Sequence, residues 1–102
     1  MPSKDYRIWI NDTTYIVVDL VVIRGRLVSF VVRLMWIEMN NTNNVVRYDT
    51  AHGTPHRDTL GKRRGLLRKD WYPSLALDIV LQRAIKDSKV NYENYIAQFK
   101  EN

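Results

Sequence analysis

The spacing of apolar and polar positions changes period once along this chain, and the change divides it into a strand-forming part and a helix. Residues 6–10, 14–23, 27–39 and 45–51 are dense in Val, Ile, Tyr and Trp. Short polar stretches separate them at Asn11-Asp12-Thr13, Arg24-Gly25-Arg26 and the Asn-rich run 40–44. Successive side chains of a strand point to opposite faces, and a one-residue slip turns the whole set over. Ile16, Val18, Leu20 and Val22 form one apolar row, and Val28, Phe30, Val32, Leu34 and Trp36 form a second. Bringing the two rows onto one face takes a connection of odd length, which residues 24–26 supply, or a bulge. A five-residue loop at 40–44 then carries the parity forward and puts Val46, Tyr48 and Thr50 on the same face. On this register Arg33 lies diagonal to Asp19, and Arg47 lies opposite Ile37.

Residues 60–67 fit a hairpin with glycines at Gly61 and Gly65, after which the period lengthens. Leu77, Leu81, Ala84, Ile85, Ser88, Tyr92, Tyr95, Ile96 and Phe99 recur every three or four positions, the spacing of one helix face. The pattern predicts a helix over 75–100, about 26 residues or roughly 39 Å long, with Ser74 as N-cap. Trp71 and Tyr72 are expected to close the core just before it. The fold class that follows is α+β: an antiparallel meander sheet of four to six strands, packed on one face by a long C-terminal helix.

One helix covers one face only. The other is mixed, with Val17, Val21, Val31, Met35 and Ile37 interleaved with Asp19, Arg33, Arg47 and Asp49. Those five apolar residues are the predicted interface, for a homodimer or another protein, because such a face is too apolar to be left in water.

Length and composition narrow the function. The 102 residues make a single domain, sheet with basic hairpin over 1–70 and helix over 74–100, and 45% hydrophobic with 26% charged is an ordinary globular balance. The chain has no cysteine, which excludes disulfides, a thiolate nucleophile and Cys-ligated zinc. No apolar run approaches the roughly 20 residues of a membrane span, and residues 1–5 have no signal-peptide core. A cytoplasmic protein with no membrane contact is expected.

The formal charge of +5 is unevenly spread. Arg57, Lys62, Arg63, Arg64, Arg68 and Lys69 stand against Asp58 and Asp70 within 57–70, six cations to two anions, so this segment carries most of the excess. A basic segment beside a balanced body suits a surface that meets nucleic-acid phosphate; a solvated hairpin tip is the plainer account. Both histidines, His52 and His56, fall where the fourth strand runs out, close to Arg47 and Asp49. Two imidazoles can serve as general base and general acid, and an arginine can stabilise charge on a phosphoryl oxygen. His52, His56, Arg47 and Asp49 are therefore the candidate catalytic set, sufficient for metal-independent RNA cleavage in which the 2′-hydroxyl attacks its own phosphate. A loop histidine that caps a carbonyl and an Arg47–Asp49 surface pair are the structural alternatives. Asp49, His52, His56 and Asp58 are chemically able to hold Zn or Mn. Gly53 and Pro55 exclude the helix on which an H-x-x-x-H pair binds zinc, so no metal or other cofactor is expected.

The run Val45-Val46-Arg47-Tyr48-Asp49 leading into a histidine-bearing loop, on a small β-rich domain with a long terminal helix, resembles the TumE-like toxin components of prokaryotic toxin–antitoxin pairs. Residues 29–34 and 45–58, with Trp71, Pro73 and 91–96, also look like a set of short uncharacterised prokaryotic proteins. Arg47, Tyr48, Asp49, His52 and His56 carry the likeness; Asp58 departs from it, standing where that pattern has a further histidine. The resemblance implies an antitoxin protein as partner and RNA or a translation component as target, with no metal cofactor.

Overall fold

Alternation builds the sheet, and single extra residues keep it in step. The computed structural model describes residues 3–50 and 53–102. Six strands follow in order, β1 (Ser3–Asn11), β2 (Thr14–Ile23), β3 (Arg26–Glu38), β4 (Asn41–Asp49), β5 (His56–Gly61) and β6 (Gly65–Trp71), before one helix, α1 (Leu77–Glu101). Each strand pairs antiparallel with the next, so spatial order equals chain order. This is the α+β meander with a C-terminal helix that the sequence pattern predicts.

The connections are tighter than the pattern suggested. Ile23 pairs with Arg26 and Glu38 with Asn41, so residues 24–25 and 39–40 are two-residue turns. All four turn residues have positive φ, from 48° at Met39 to 76° at Gly25, the backbone a hairpin's right-handed twist demands. Residues 41–44 are thus strand, not loop: their backbone pairs with Met35 to Glu38. A two-residue turn pairs even positions with odd ones, which alone would have turned the whole apolar row of one strand to the opposite face from its neighbour's. Single bulges correct this at Val28 in β3 and Val45 in β4, after which Leu20 lies opposite Phe30 and Leu34 opposite Val46. Val28 itself is 44% exposed, and Leu27 takes its expected place against the core. The shorter β3–β4 turn together with its bulge sets Arg47 opposite Arg33 rather than Ile37.

Ile16, Val18, Phe30, Val32, Leu34, Val45, Val46 and Tyr48 are buried under Val80, Ala84, Tyr95 and Phe99 of α1. Ser88 is also fully buried in this interface. The helix begins two residues later than its apolar spacing implies: Ala76 is the N-cap with no side-chain bond, and Ser74 lies outside. Tyr72 packs against the core, but Trp71 does not join it; half exposed, it lies on the sheet face away from the helix. Among the described residues no helix is long and apolar enough to cross a membrane.

The β5–β6 turn docks on the end of α1. The backbone N–H groups of Arg63 and Arg64 donate to the Asn102 carbonyl at 3.0 and 2.8 Å, and that of Lys62 donates to Phe99. These bonds satisfy carbonyls that a helix end leaves without partners, and the basic turn suits the negative end of the helix dipole. Gly61 permits the approach, since a β-carbon there would stand 2.9 Å from the Asn102 Cβ and carbonyl oxygen. Gly61→Ala should destabilise the fold by about 1–3 kcal/mol through this overlap, read as a lowered urea midpoint, whereas a substitution at Gly25, where a β-carbon meets nothing within 4 Å, would act only through its turn geometry.

Candidate functional site

The pairing register lays the polar residues of the helix-free face out in two cross-strand rows. One runs Arg7, Val17, Arg33, Arg47, Asp58 and Lys69; the next runs Asp5, Asp19, Val31, Asp49, His56 and Trp71. Asp49, His56 and Asp58 adjoin where these rows cross β4 and β5. The His56 Nε2 lies 3.3 Å from Asp49 Oδ1 and 3.6 Å from Asp58 Oδ2. Its Nδ1 lies 3.3 Å from the Thr54 carbonyl oxygen, which can only accept, so Nδ1 carries the proton of that bond. The second oxygen of each carboxylate faces a cation: Asp49 Oδ2 lies 2.9 Å from Arg47 Nε, and Asp58 Oδ1 3.5 Å from Lys69 Nζ. That buried Asp58 oxygen makes no hydrogen bond among the described residues. Trp71 stands over the imidazole with ring centroids 5.0 Å apart, and His56 is only 3% exposed. Beside Asp49 the face dips into a depression of about 250 Å³ bounded by Asp19, Val31, Arg47 and Thr50. Arg33 pairs with Asp19 at its rim, 3.1 Å away and diagonal as the alternation predicts.

Of the predicted catalytic set, Arg47, Asp49 and His56 thus converge, while His52 lies outside the described residues. The burial of His56 is a result that sequence could not supply. Its environment depends on β5 pairing with β4 and on β6 bringing Trp71 across, and residues 50–55 break the parity argument before it reaches β5. The predicted interface residues Val17, Val21, Val31, Met35 and Ile37 fall on odd positions of β2 and β3, facing away from α1, and are half-buried there.

The helix side of the same strands carries a second polar cluster. Arg57 spans it, donating through Nη2 to Asp70 at 2.8 Å and through Nη1 to the Tyr95 hydroxyl at 2.8 Å, with Asp87 3.5 Å away. Asp87 accepts hydrogen bonds from the hydroxyls of Tyr48 and Tyr95 and from the Asn91 amide. Burial raises the pKa of Tyr48 well above the ordinary phenol value, aided by its bond to Asp87. For Tyr95 burial and the same carboxylate push it from 10.0 up to about 12. Burial works against the Asp87 anion, but its three hydrogen bonds outweigh that and keep it below the ordinary carboxylate range. The hydrogen bond from Arg57 does the same for Asp70. Arg57 pays desolvation, which its bond to Asp70 more than offsets. A cavity of about 170 Å³ adjoins the cluster, lined by Tyr48, Arg57, Tyr72, Arg83 and Asp87 among others.

The basic segment is therefore divided by the fold. Lys69 faces Asp58 on the open side, and Lys62 reaches Glu38 at 3.5 Å. Arg63 lies exposed in the β5–β6 turn. Arg57, Arg64 and Arg68 line a groove of about 470 Å³ between the β5–β6 hairpin and the C-terminal half of α1, with Tyr95, Gln98 and Asn102 on its other side. Arg68 donates through Nε to Asp70, the carboxylate that also holds Arg57, so two guanidinium groups sit on one anchor.

A family model described as Domain of unknown function (DUF7718) matches residues 1–102, and the chain belongs to that family. No curated protein and no solved structure matches it.

The helix-side cluster makes stability depend on pH at both ends. Asp70 and Asp87 titrate below 3.8 in the fold, so their contribution is complete above about pH 4 and is lost as the pH falls through their lowered values. Tyr95 contributes fully below pH 10.0 and loses its contribution as the pH rises towards 12. Asp87→Asn should cost about 1–3 kcal/mol at pH 7, leaving Arg57 and two hydroxyls short of an acceptor, and should flatten the acid limb of a melting-temperature profile against pH.

Proposed function

We propose that this member of the family is a small RNA-binding protein that grips the phosphate backbone along the groove between the β5–β6 hairpin and α1. One observation carries the reading: Arg57, Arg64 and Arg68, spread over twelve positions of the chain, line a single groove. Guanidinium groups recognise phosphate through paired N–H donors. Asp70 orients two of them in advance, and Arg68 spends only Nε on it among the described contacts. The net charge of +5 favours the encounter, and a cytoplasmic setting fits such a ligand. Arg57 acts as the fixed wall of the groove, because its cation is already committed to Asp70, Asp87 and Tyr95. Arg64 and Arg68, both exposed, are the residues that meet phosphate.

Binding is favoured over metal-independent cleavage by the surroundings of His56. A general base for a ribose hydroxyl must reach its proton within hydrogen-bond distance, and this imidazole is covered by Trp71 with Nε2 turned to two carboxylates. Toxin action against RNA, with an antitoxin partner, rests on the resemblance of the segment from Arg47 to Asp58. Fluorescence anisotropy with a short single-stranded RNA tests the binding reading. Arg64→Glu/Arg68→Glu should weaken binding at least tenfold and reduce the slope of log affinity against log salt by about 1.4, two phosphate contacts at roughly 0.7 each. Unchanged affinity in that variant would remove the groove as the RNA site, and cleavage of the RNA in EDTA would restore the ribonuclease reading.

A second reading has its own observation: the half-buried apolar residues on the open face flank a depression that α1 leaves uncovered. A second copy of the chain pairing there would bury about 1,200 Å² or more. Sedimentation at high concentration should then give a dimer that Val31→Lys or Met35→Lys converts to monomer; a wild-type monomer at every concentration would end this reading.

A further inference from the structure

We propose that Asp49, His56 and Asp58 form a binding site for a first-row divalent cation, Zn²⁺ or Mn²⁺ by its donor set. Three potential ligand atoms, the His56 Nε2 and one oxygen from each carboxylate, lie within 4.8 Å of one another. The imidazole is 3.3 and 3.6 Å from those oxygens. Those two distances are close to the spacing of about 3.4 Å between donors held about 2.1 Å from a tetrahedral metal.

The surroundings fit as well. Metal-bound histidines characteristically donate the other ring N–H to a carbonyl or carboxylate, which fixes the tautomer and aims the lone pair. Here the Nδ1–H is spent on the Thr54 carbonyl, leaving Nε2 to the cluster. Each carboxylate is likewise steadied from behind, Asp49 by Arg47 and Asp58 by Lys69. Its other oxygen faces the imidazole. Asp49 and His56 are buried, whereas Asp58 is partly exposed and provides the way in. One imidazole and two carboxylates leave at least one coordination position for water or a ligand, as in catalytic rather than structural metal sites. The strands that carry the three residues are hydrogen-bonded neighbours, Asp49 being directly paired with His56. The donors are therefore set by the sheet and not by a loop. This site lies on the opposite sheet face from the arginine groove, and the two assignments stand or fall separately.

The test uses the full chain without an affinity tag, stripped with EDTA and dialysed. Addition of Zn²⁺ or Mn²⁺ should raise the melting temperature in proportion to the logarithm of metal concentration above the dissociation constant. Co²⁺ should develop the visible bands of a low-coordinate site. Asp58→Asn, which preserves shape, should weaken both responses at least about 10-fold, the lower bound for disturbing even an outer partner of a metal ligand. Imidazole ¹⁵N spectra of the wild type give a check that needs no variant: Zn²⁺ should shift Nε2 of His56 far more than Nδ1. Wild-type protein with no thermal shift and no Co²⁺ bands at millimolar metal would overturn the proposal. So would equal responses in wild type and Asp58→Asn, or an unmoved His56 Nε2 resonance.

Discussion

A strand alternates its side chains between two faces, and a long meander keeps one face apolar only if every connection preserves the alternation. Tight two-residue turns break it, because they pair even positions with odd ones. In this chain the turns at 12–13, 24–25 and 39–40 are each followed or preceded by one register shift, at Trp9/Asn11, Val21/Val22 and Leu34/Met35. The β5–β6 hairpin has another at Thr59/Leu60. Burial of the apolar row supplies the driving force: each fully buried Val, Leu or Ile is worth roughly 1.5–3 kcal/mol, more than a single lost ladder bond. The bulges also increase the local twist of the strands that carry them.

The same parity separates two chemistries that are mixed together along the chain. Within β5, Arg57 and Thr59 turn to the helix while His56 and Asp58 turn away. On the helix side, two tyrosines, two aspartates and an arginine satisfy one another next to an apolar core, and burial holds the phenols neutral while hydrogen bonds hold the carboxylates ionised. On the open side the carboxylates of Asp49 and Asp58 gather around an imidazole that has already spent its Nδ1 proton.

The helix anchors the helix-side cluster and the basic turn without touching the open face. Asp87 and Tyr95 of α1 anchor Arg57, and the end of α1 accepts the backbone of the basic turn. The hairpin is thereby held along the helix, with Arg64 and Arg68 standing beside a groove instead of waving from a free loop. In the proposed RNA-binding role, positioning of this kind would lower the entropy cost of meeting a phosphate chain.

Local pattern alone determined the fold class: strand-period runs, the helical stripe from Leu77 to Phe99 and the apolar rows of β2 and β3 are each legible within a short window, because burial must follow the period of the backbone that carries it. It also placed Arg33 diagonal to Asp19, Arg47 and Asp49 on one face, and the basic excess between residues 57 and 70. The exact turns were not legible, since a two-residue turn with a bulge and an odd loop leave the same apolar record. Nor was the partition of the cations, or Trp71 over His56, or Asp87 beneath Tyr48, 39 residues distant. Those are contacts between elements far apart in sequence, and only the packing of β4, β5, β6 and α1 against one another decides which side chains share a space.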